Sequence, residues 1–406
     1  MSRHYLSLFV IPMLLLPSIS HAGGRIPILI VGTHIGMDNL RAFFDSEPAV
    51  TYHFVPANNL HGYYLNTAEI LKMIRIYFPR SYDELRSFDV LILNGPEFNL
   101  MTKQQDRWMF DAIKDGMGGI NDISVFGIIA GVAEAWSASR TQQAFPNDAP
   151  AVTAQGAGEV SGGTFSVVIN SEARYPILTP FIPFGVEDIN HPGCWYFVIH
   201  RQGSEVLAWR VGVGRRYDYM AAWEYEKGRT ITNGNAMAMC WQGYPRSPQD
   251  NQYTPGILMN MMYWLAQREL IGDIEVFHRV KGNFAEFRSR MLVLISLLDF
   301  IDKFGANTGN VQGEIIGLDE LYDRASDHYL DGEFVECEAV ILEALEEFSS
   351  VEELARREKD RALMWVYVIE WLVAASTLFI SGFMLWTLMV RRRLYREIDA
   401  TRLRSI

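Results

Sequence analysis

Histidines and carboxylates placed just after apolar runs are the residues of this chain best suited to chemistry. His34 and Asp38 follow the run Ile26 to Val31, and His53, His61 and Glu97 follow later ones. In an open parallel sheet, strand ends of this kind surround the usual ligand crevice. Two or three of these side chains meeting there would form a metal or acid–base set. His34 and Asp38 are the candidate metal ligands; His34, Asp38, Glu97 and Glu134 are the candidate catalytic residues. Asp188, His191 and Cys194 are close enough to share a metal, although Pro192-Gly193 between them also reads as an ordinary turn. Gly156, Gly158, Gly162 and Gly163 have neither the spacing nor the position of a dinucleotide loop, and no cofactor is expected. Trp195, Trp209, Trp223 and Trp241 read first as buried aromatic core, and they also offer flat faces for stacking on sugars.

The elements that must position these residues alternate in type. Ile26–Val31, Tyr52–Val55, Val90–Leu93 and Val125–Ile129 read as strands. Helices are expected near Asn39–Asp45, over Ala68–Phe78, and from a capping box at Thr102 to Asp115, where Gly116, Gly118 and Gly119 end the last of them. Fully apolar strands alternating with helices imply a parallel sheet covered on both faces. The chain then becomes richer in β structure, with strands expected at Thr164–Ile169, Trp195–Ile199, Val206–Val211 and Thr230–Asn233, before a helix near Ile257–Gln267. From about residue 273 to 362 the pattern is helical. Phe284, Phe287, Met291, Leu294, Ile295 and Leu298 recur at helical spacing. Asp331-Gly332 reads as the turn of a hairpin that resembles a single tetratricopeptide-type unit, and one copy is not an array.

Both ends carry membrane signals. Arg3 and His4 precede an apolar run to Leu16, and Ser20-His21-Ala22 places small residues at a cleavage site, so residues 1–22 read as a secretory signal. Trp371–Val390 is free of charge and long enough to cross about 30 Å of hydrocarbon, and Arg391, Arg392 and Arg393 stop it. Trp365, Tyr367, Trp371 and Trp386 sit where an interfacial belt belongs, and Glu370 stands near the outer edge. The expected layout is an exported domain over residues 23–272, a helical stalk over 273–362, a span with its flank over 363–390, and a basic cytoplasmic tail over 391–406.

The net charge of −12 is unevenly spread. Fourteen acids and one base lie between Glu314 and Glu353, a solvated face or a docking surface for a basic partner or divalent cations. Nucleic acid is excluded as a partner, because phosphate binding needs clustered Lys and Arg. Three widely spaced cysteines, Cys194, Cys240 and Cys337, form no disulfide framework; one bridge, Cys194 to Cys240, stays open.

The stretch FDVLILNGPEF (Phe88–Phe98), the capped helix to Asp115 and DGMGG resemble the glutamine-amidotransferase-like proteins, in particular their trehalose-utilisation-type branch. YEKGRTITNGNAMAMCWQGY (Tyr225–Tyr244) is similar to that branch's late strand and loop, and MMYWLA (Met261–Ala266) to its closing helix. The resemblance covers roughly residues 25 to 270 and implies a flavodoxin-like α/β sandwich. The chemistry it implies is a Cys on a sharp turn after a strand, activated by His and Glu. Here Ala130-Gly131-Val132 follows the expected strand without Cys, Ser or Thr, and Cys240 lies where an acid–base partner would stand.

The expectation is therefore a non-catalytic, membrane-anchored extracytoplasmic binding or assembly protein. Its partners would be the membrane, a protein or a second copy of the chain, and a small-molecule or sugar ligand. The rivals are an exported hydrolase or sugar-modifying enzyme that uses the strand-end His, Asp and Glu, and a purely structural envelope component.

Overall fold

The structure, a computed structural model, describes residues 24–33, 37–58, 66–122, 130–147, 165–189, 198–212, 215–234, 251–304 and 309–402. The signal segment, His34, His61, the expected strand Val125–Ile129, His191, Cys194, Trp195, Cys240 and Trp241 fall outside these residues.

Among the described residues nine strands form one sheet: β1 (Ile26–Gly32), β2 (Val50–Pro56), β3 (Val90–Asn94), β4 (Gly118–Asp122), β5 (Phe165–Ile169), β6 (Asp188–Ile189), β7 (Glu205–Gly212), β8 (Arg215–Tyr225) and β9 (Gly228–Asn233). Their order is β2-β1-β3-β4-β9-β8-β7-β5-β6. The first five are parallel neighbours in the doubly wound order of flavodoxin-like sheets. From β9 onward the pairings are antiparallel, so the parallel sandwich carries a meander on one side.

The helices that cover and follow the sheet are α1 (Met37–Asp45), α2 (Thr67–Tyr77), α3 (Tyr82–Leu85), α4 (Lys103–Lys114), α5 (Ala130–Ser137), α6 (Thr254–Leu265), α7 (Ile274–Asp302), α8 (Gly309–Leu330) and α9 (Phe334–Arg402). Leu29, Val31, Leu91 and Leu93 pack in one cluster with Ile70 and Ile74 of α2 and Met109, Ala112 and Ile113 of α4. Thr102 starts α4 as expected: its hydroxyl accepts from Gln105 N and the Gln105 side chain accepts from Thr102 N. α2 opens with the same reciprocal device, from Asn66 and Glu69. α6 is mostly apolar and buried at every position but Pro255.

Several strands depart from the sequence reading. The glycines expected only to end α4 lead into β4 itself. A Cβ at Gly118 would lie 2.5 Å from the Leu265 carbonyl oxygen, so the strand passes under α6 only because that residue has no side chain. β8, the longest strand, has no expected counterpart. It pairs with β7 through a register shift near Ala208, which breaks the simple alternation of its sequence. Of the expected strand Trp195–Ile199, only Val198 and Ile199 are described, and neither is in a strand.

The chain divides into two compact units, Met1–Lys281 with Ser326–Cys337, and Gly282–Ala325 with Glu338–Ile406. In the first, Glu47 is a fully buried carboxylate in the turn between α1 and β2. Lys281 Nζ lies 2.8 Å from Oε2, as an ion pair, and the Tyr329 hydroxyl donates to Oε1 at 2.5 Å. The Lys281 ammonium also stands over the rings of Phe43 and Phe277. Phe334 packs edge-on against Phe277 and Tyr329 at the hairpin turn, where Gly332 takes a positive φ of 80°. Cys337 is buried and forms no disulfide among the described residues.

In the second unit, Phe284, Phe287, Leu294 and Leu298 are buried as their spacing predicts, whereas Ile295 is exposed. Arg290 grips both oxygens of Glu352, donates to the Leu345 carbonyl and lies over the Phe348 ring. α9 is a single helix of 69 residues from the hairpin turn to the basic tail. It is the one helix among the described residues long and apolar enough to cross a membrane. Its apolar stretch is open to the surroundings: Phe379 is 81% and Trp371 76% exposed.

Burial raises the Tyr329 phenol well above its ordinary value near 10, and the Glu47 charge adds to the effect. Folding thus favours the neutral phenol. That contribution is complete below about pH 10 and is lost as the pH rises beyond it. The melting temperature, followed by tryptophan fluorescence in detergent micelles, is expected to fall steeply above about pH 10, and less steeply in Tyr329→Phe. Arg290→Lys, which cannot hold a carboxylate with two parallel donors, is expected to cost about 1–2 kcal/mol in urea unfolding.

Candidate functional site

The parallel half of the sheet has its switch point at β1, which is flanked by β2 on one side and β3 on the other. Ligands of doubly wound sheets lie outside the carboxyl ends of the strands at this point. Here those ends are stitched together by the backbone. Thr33 N donates to Asn94 O at 2.9 Å, Ala57 N to Gly32 O at 2.8 Å, and Glu97 N to Ala57 O at 2.7 Å. Asn94 Nδ2 reaches back to Thr33 O, and Asn58 Nδ2 donates to Gly95 O. The close pass of β1 and β3 depends on Gly32. Its φ is +154°, and a Cβ there would stand 2.0 Å from the Asn94 carbonyl oxygen.

The side chains at this edge are mostly neutral amides and hydroxyls. Asn94 and Asn233 end their strands on one level with Asp122 of β4, and one position earlier Asn121 faces Thr232. Thr33, Asn58, Asn94, Asn121, Thr232 and Asn233 are all fully buried. Among the described residues, neither amide atom of Asn121 nor the hydroxyl of Thr232 has a hydrogen-bond partner. A buried polar group without a partner costs about 1–3 kcal/mol. Side by side, Asn121 and Thr232 present one donor–acceptor amide and one hydroxyl to a hydrogen-bonding group. Such a set can orient a polar molecule; it contributes no base or nucleophile of its own.

The sequence-derived candidates are scattered by comparison. Glu97 is at this edge, half-buried at the start of the turn after β3. Glu134 is exposed on α5, and Asp38 lies in the first turn of α1. His53 lies within β2, opposite Leu29, where Nε2 meets the carbonyl of Tyr77 at 2.7 Å, a structural contact at the end of α2. Asp188 is in the short strand β6. Trp209 is stacked by the Arg216 guanidinium and Trp223 lies against Tyr225, so both are engaged within the protein. Among the described residues no group of three or more His, Cys, Asp or Glu is arranged to hold a metal ion. Sequence reasoning missed the amides and the His200–Asp218 hydrogen bond on the antiparallel half. A usable signal was present for the amides, because VLILN and TITN both close an apolar or β-branched run on Asn.

No family model matches the chain, and no curated protein matches it. Solved structures similar to it include the glutaminase domain of Trypanosoma brucei CTPS with bound acivicin, at 10% identity and a TM-score of 0.30, over 61% of this chain and 97% of that one. Another is the cold-adapted β-galactosidase from Rahnella sp. R3, at 12% identity and a TM-score of 0.30, over 61% of this chain. The match spans 32% of the galactosidase's length. At this TM-score neither likeness bears on the fold or the site.

Gly32→Ala is expected to force β1 and β3 apart at the strand ends and to destabilise the protein by about 3 kcal/mol. A lowered urea midpoint with faster amide exchange at Thr33 and Asn94 is the expected result.

Proposed function

We propose that the chain is a single-pass membrane protein whose α/β domain stands outside the cytoplasm and binds a partner or small polar ligand without transforming it. The domain is read as a glutamine-amidotransferase-like sandwich that recognises its ligand with amides at the strand ends. The observation that carries this reading is the set of fully buried neutral groups along the carboxyl ends of the parallel strands, with Asn121 of β4 and Thr232 of β9 turned toward no protein partner among the described residues. Neutral amides and hydroxyls discriminate by geometry, and a site built from them rejects molecules that cannot match its donors and acceptors. The segment Val125–Trp136, where the family resemblance would place a nucleophile, has no Cys, Ser or Thr. The exposed apolar stretch of α9 and the three arginines that follow it support the anchor.

Protease shaving of intact cells carrying a C-terminal fluorescent fusion tests the topology: the sheet domain should be cleaved while the fusion stays protected. A thermal-shift screen of neutral sugars and amides tests the binding. The stabilising compound should lose its effect on Asn121→Leu, whose side chain keeps the volume without the hydrogen bonds. Turnover of an amide or glycoside by the purified protein, abolished by Glu97→Gln, would instead establish the hydrolase reading.

A further inference from the structure

A concave site lies on the outer face of α4. It is a groove of about 840 Å³, bounded by Tyr82 of α3, by Arg140 from the segment after α5, and by Lys103, Arg107, Trp108 and Lys114 of α4 itself. This volume is within the range of small-ligand clefts, about 300–1,000 Å³. The α4 residues fall on one stripe because positions three and four apart share a helix face.

Its charge runs against the rest of the chain. The protein carries −12 overall, yet four cations line this groove against two carboxylates, Asp111 and Asp115. Both carboxylates are engaged: Asp111 pairs with Arg107 at 3.4 Å, and Asp115 accepts from the Tyr82 hydroxyl at 2.6 Å. Burial and this hydrogen bond raise the Tyr82 phenol, which holds it as a neutral donor. Lys103 and Arg140 form no ion pair with a carboxylate among the described residues. Arg140 is positioned through its backbone, whose N–H donates to Asp106, so its guanidinium is not needed to hold the turn. Trp108 is half-buried, with its inner part against the core cluster. A solvated helix face needs neither a tryptophan in its stripe nor uncommitted cations on either side of it.

We infer that this groove binds an acidic oligosaccharide, one sugar ring against Trp108 and its carboxylate or sulfate groups on Arg140 and Lys103. An indole offers a broad apolar face with a polar edge, which suits the mixed surface of a sugar ring. Guanidinium and ammonium donors at either side supply charge-assisted hydrogen bonds to anions. Asp111 and Asp115 favour a saccharide over a nucleic acid strand, since they can accept from hydroxyls but repel a continuous line of phosphates. The site is separate from the amide-lined strand ends and does not depend on what binds there.

The test is calorimetric titration of the full chain in detergent micelles with oligogalacturonate, beside a neutral oligosaccharide of equal length and single-stranded DNA. Oligogalacturonate should bind, weaken as salt is raised, and bind about tenfold more weakly to Arg140→Gln and to Trp108→Ala. Arg140 is a surface group whose backbone does the structural work, so Arg140→Gln decides the matter if Trp108→Ala fails to fold. Equal binding of the neutral oligosaccharide, tighter binding of DNA, unchanged affinity in Arg140→Gln, or no binding of oligogalacturonate would each overturn the inference.

Discussion

Glu47 is a carboxylate with no access to water, and the way its charge is satisfied fixes the start of the helical region. Lys281 and Tyr329 come from helices far along the chain, and both reach this one side chain. Removing Lys281 would leave a buried charge without its counter-ion, a cost of about 3–5 kcal/mol for such pairs. The first turns of α7 and the tip of the α8–α9 hairpin are therefore part of the sheet unit, as the division of the chain also finds. Phe277, Tyr329 and Phe334 close an aromatic layer around the same point. The apolar rings exclude water from the ion pair, and the ion pair fixes which helix faces the rings must use.

At the opposite extreme of polarity management stand the strand ends. There the buried groups are amides and hydroxyls, which tolerate burial at far lower cost than an isolated charge. The tight stitching of β1, β2 and β3 by backbone hydrogen bonds makes their edge rigid, and Gly32 allows the closest approach. A rigid edge carrying uncharged donors and acceptors suits recognition, because little ordering remains to be done when a polar molecule arrives. The sheet edge and the α4 groove also divide by charge: neutral at the edge, cationic along α4.

Much of the architecture was legible in the sequence, and the reasons are local. IPILIV and VLIL can be satisfied only as strands buried on both faces, and Thr102 with Gln105 writes a helix start within four residues. The segment Trp371–Val390 announces itself by length and lack of charge, whatever surrounds it. The hairpin turn at Asp331-Gly332 was equally plain, since Gly332 supplies the positive φ that ends one helix and permits the next. β8 was not legible, because a bulge shifts its register against β7 and destroys the alternation that marks a strand. β4 was hidden behind its glycines, which read as a helix end until the carbonyl of Leu265 is seen lying where a side chain would go.

The sequence by itself determined the sheet's central strands, the capped helices, the hairpin and the apolar helix, because each is written in neighbouring residues whose burial or backbone geometry leaves no alternative. Only the tertiary structure decided which polar residues stand together. His53 was set against a helix end, Glu134 was turned to solvent, and Asn94, Asn121, Thr232 and Asn233 were gathered from three strands onto one edge. Likewise the cations of α4 became a groove only when Tyr82 and Arg140 closed its sides. The physical reason is separation along the chain. A side chain's chemistry is local, but its neighbours in a parallel sheet arrive from strands tens of residues away, and only the register between strands says which of them meet.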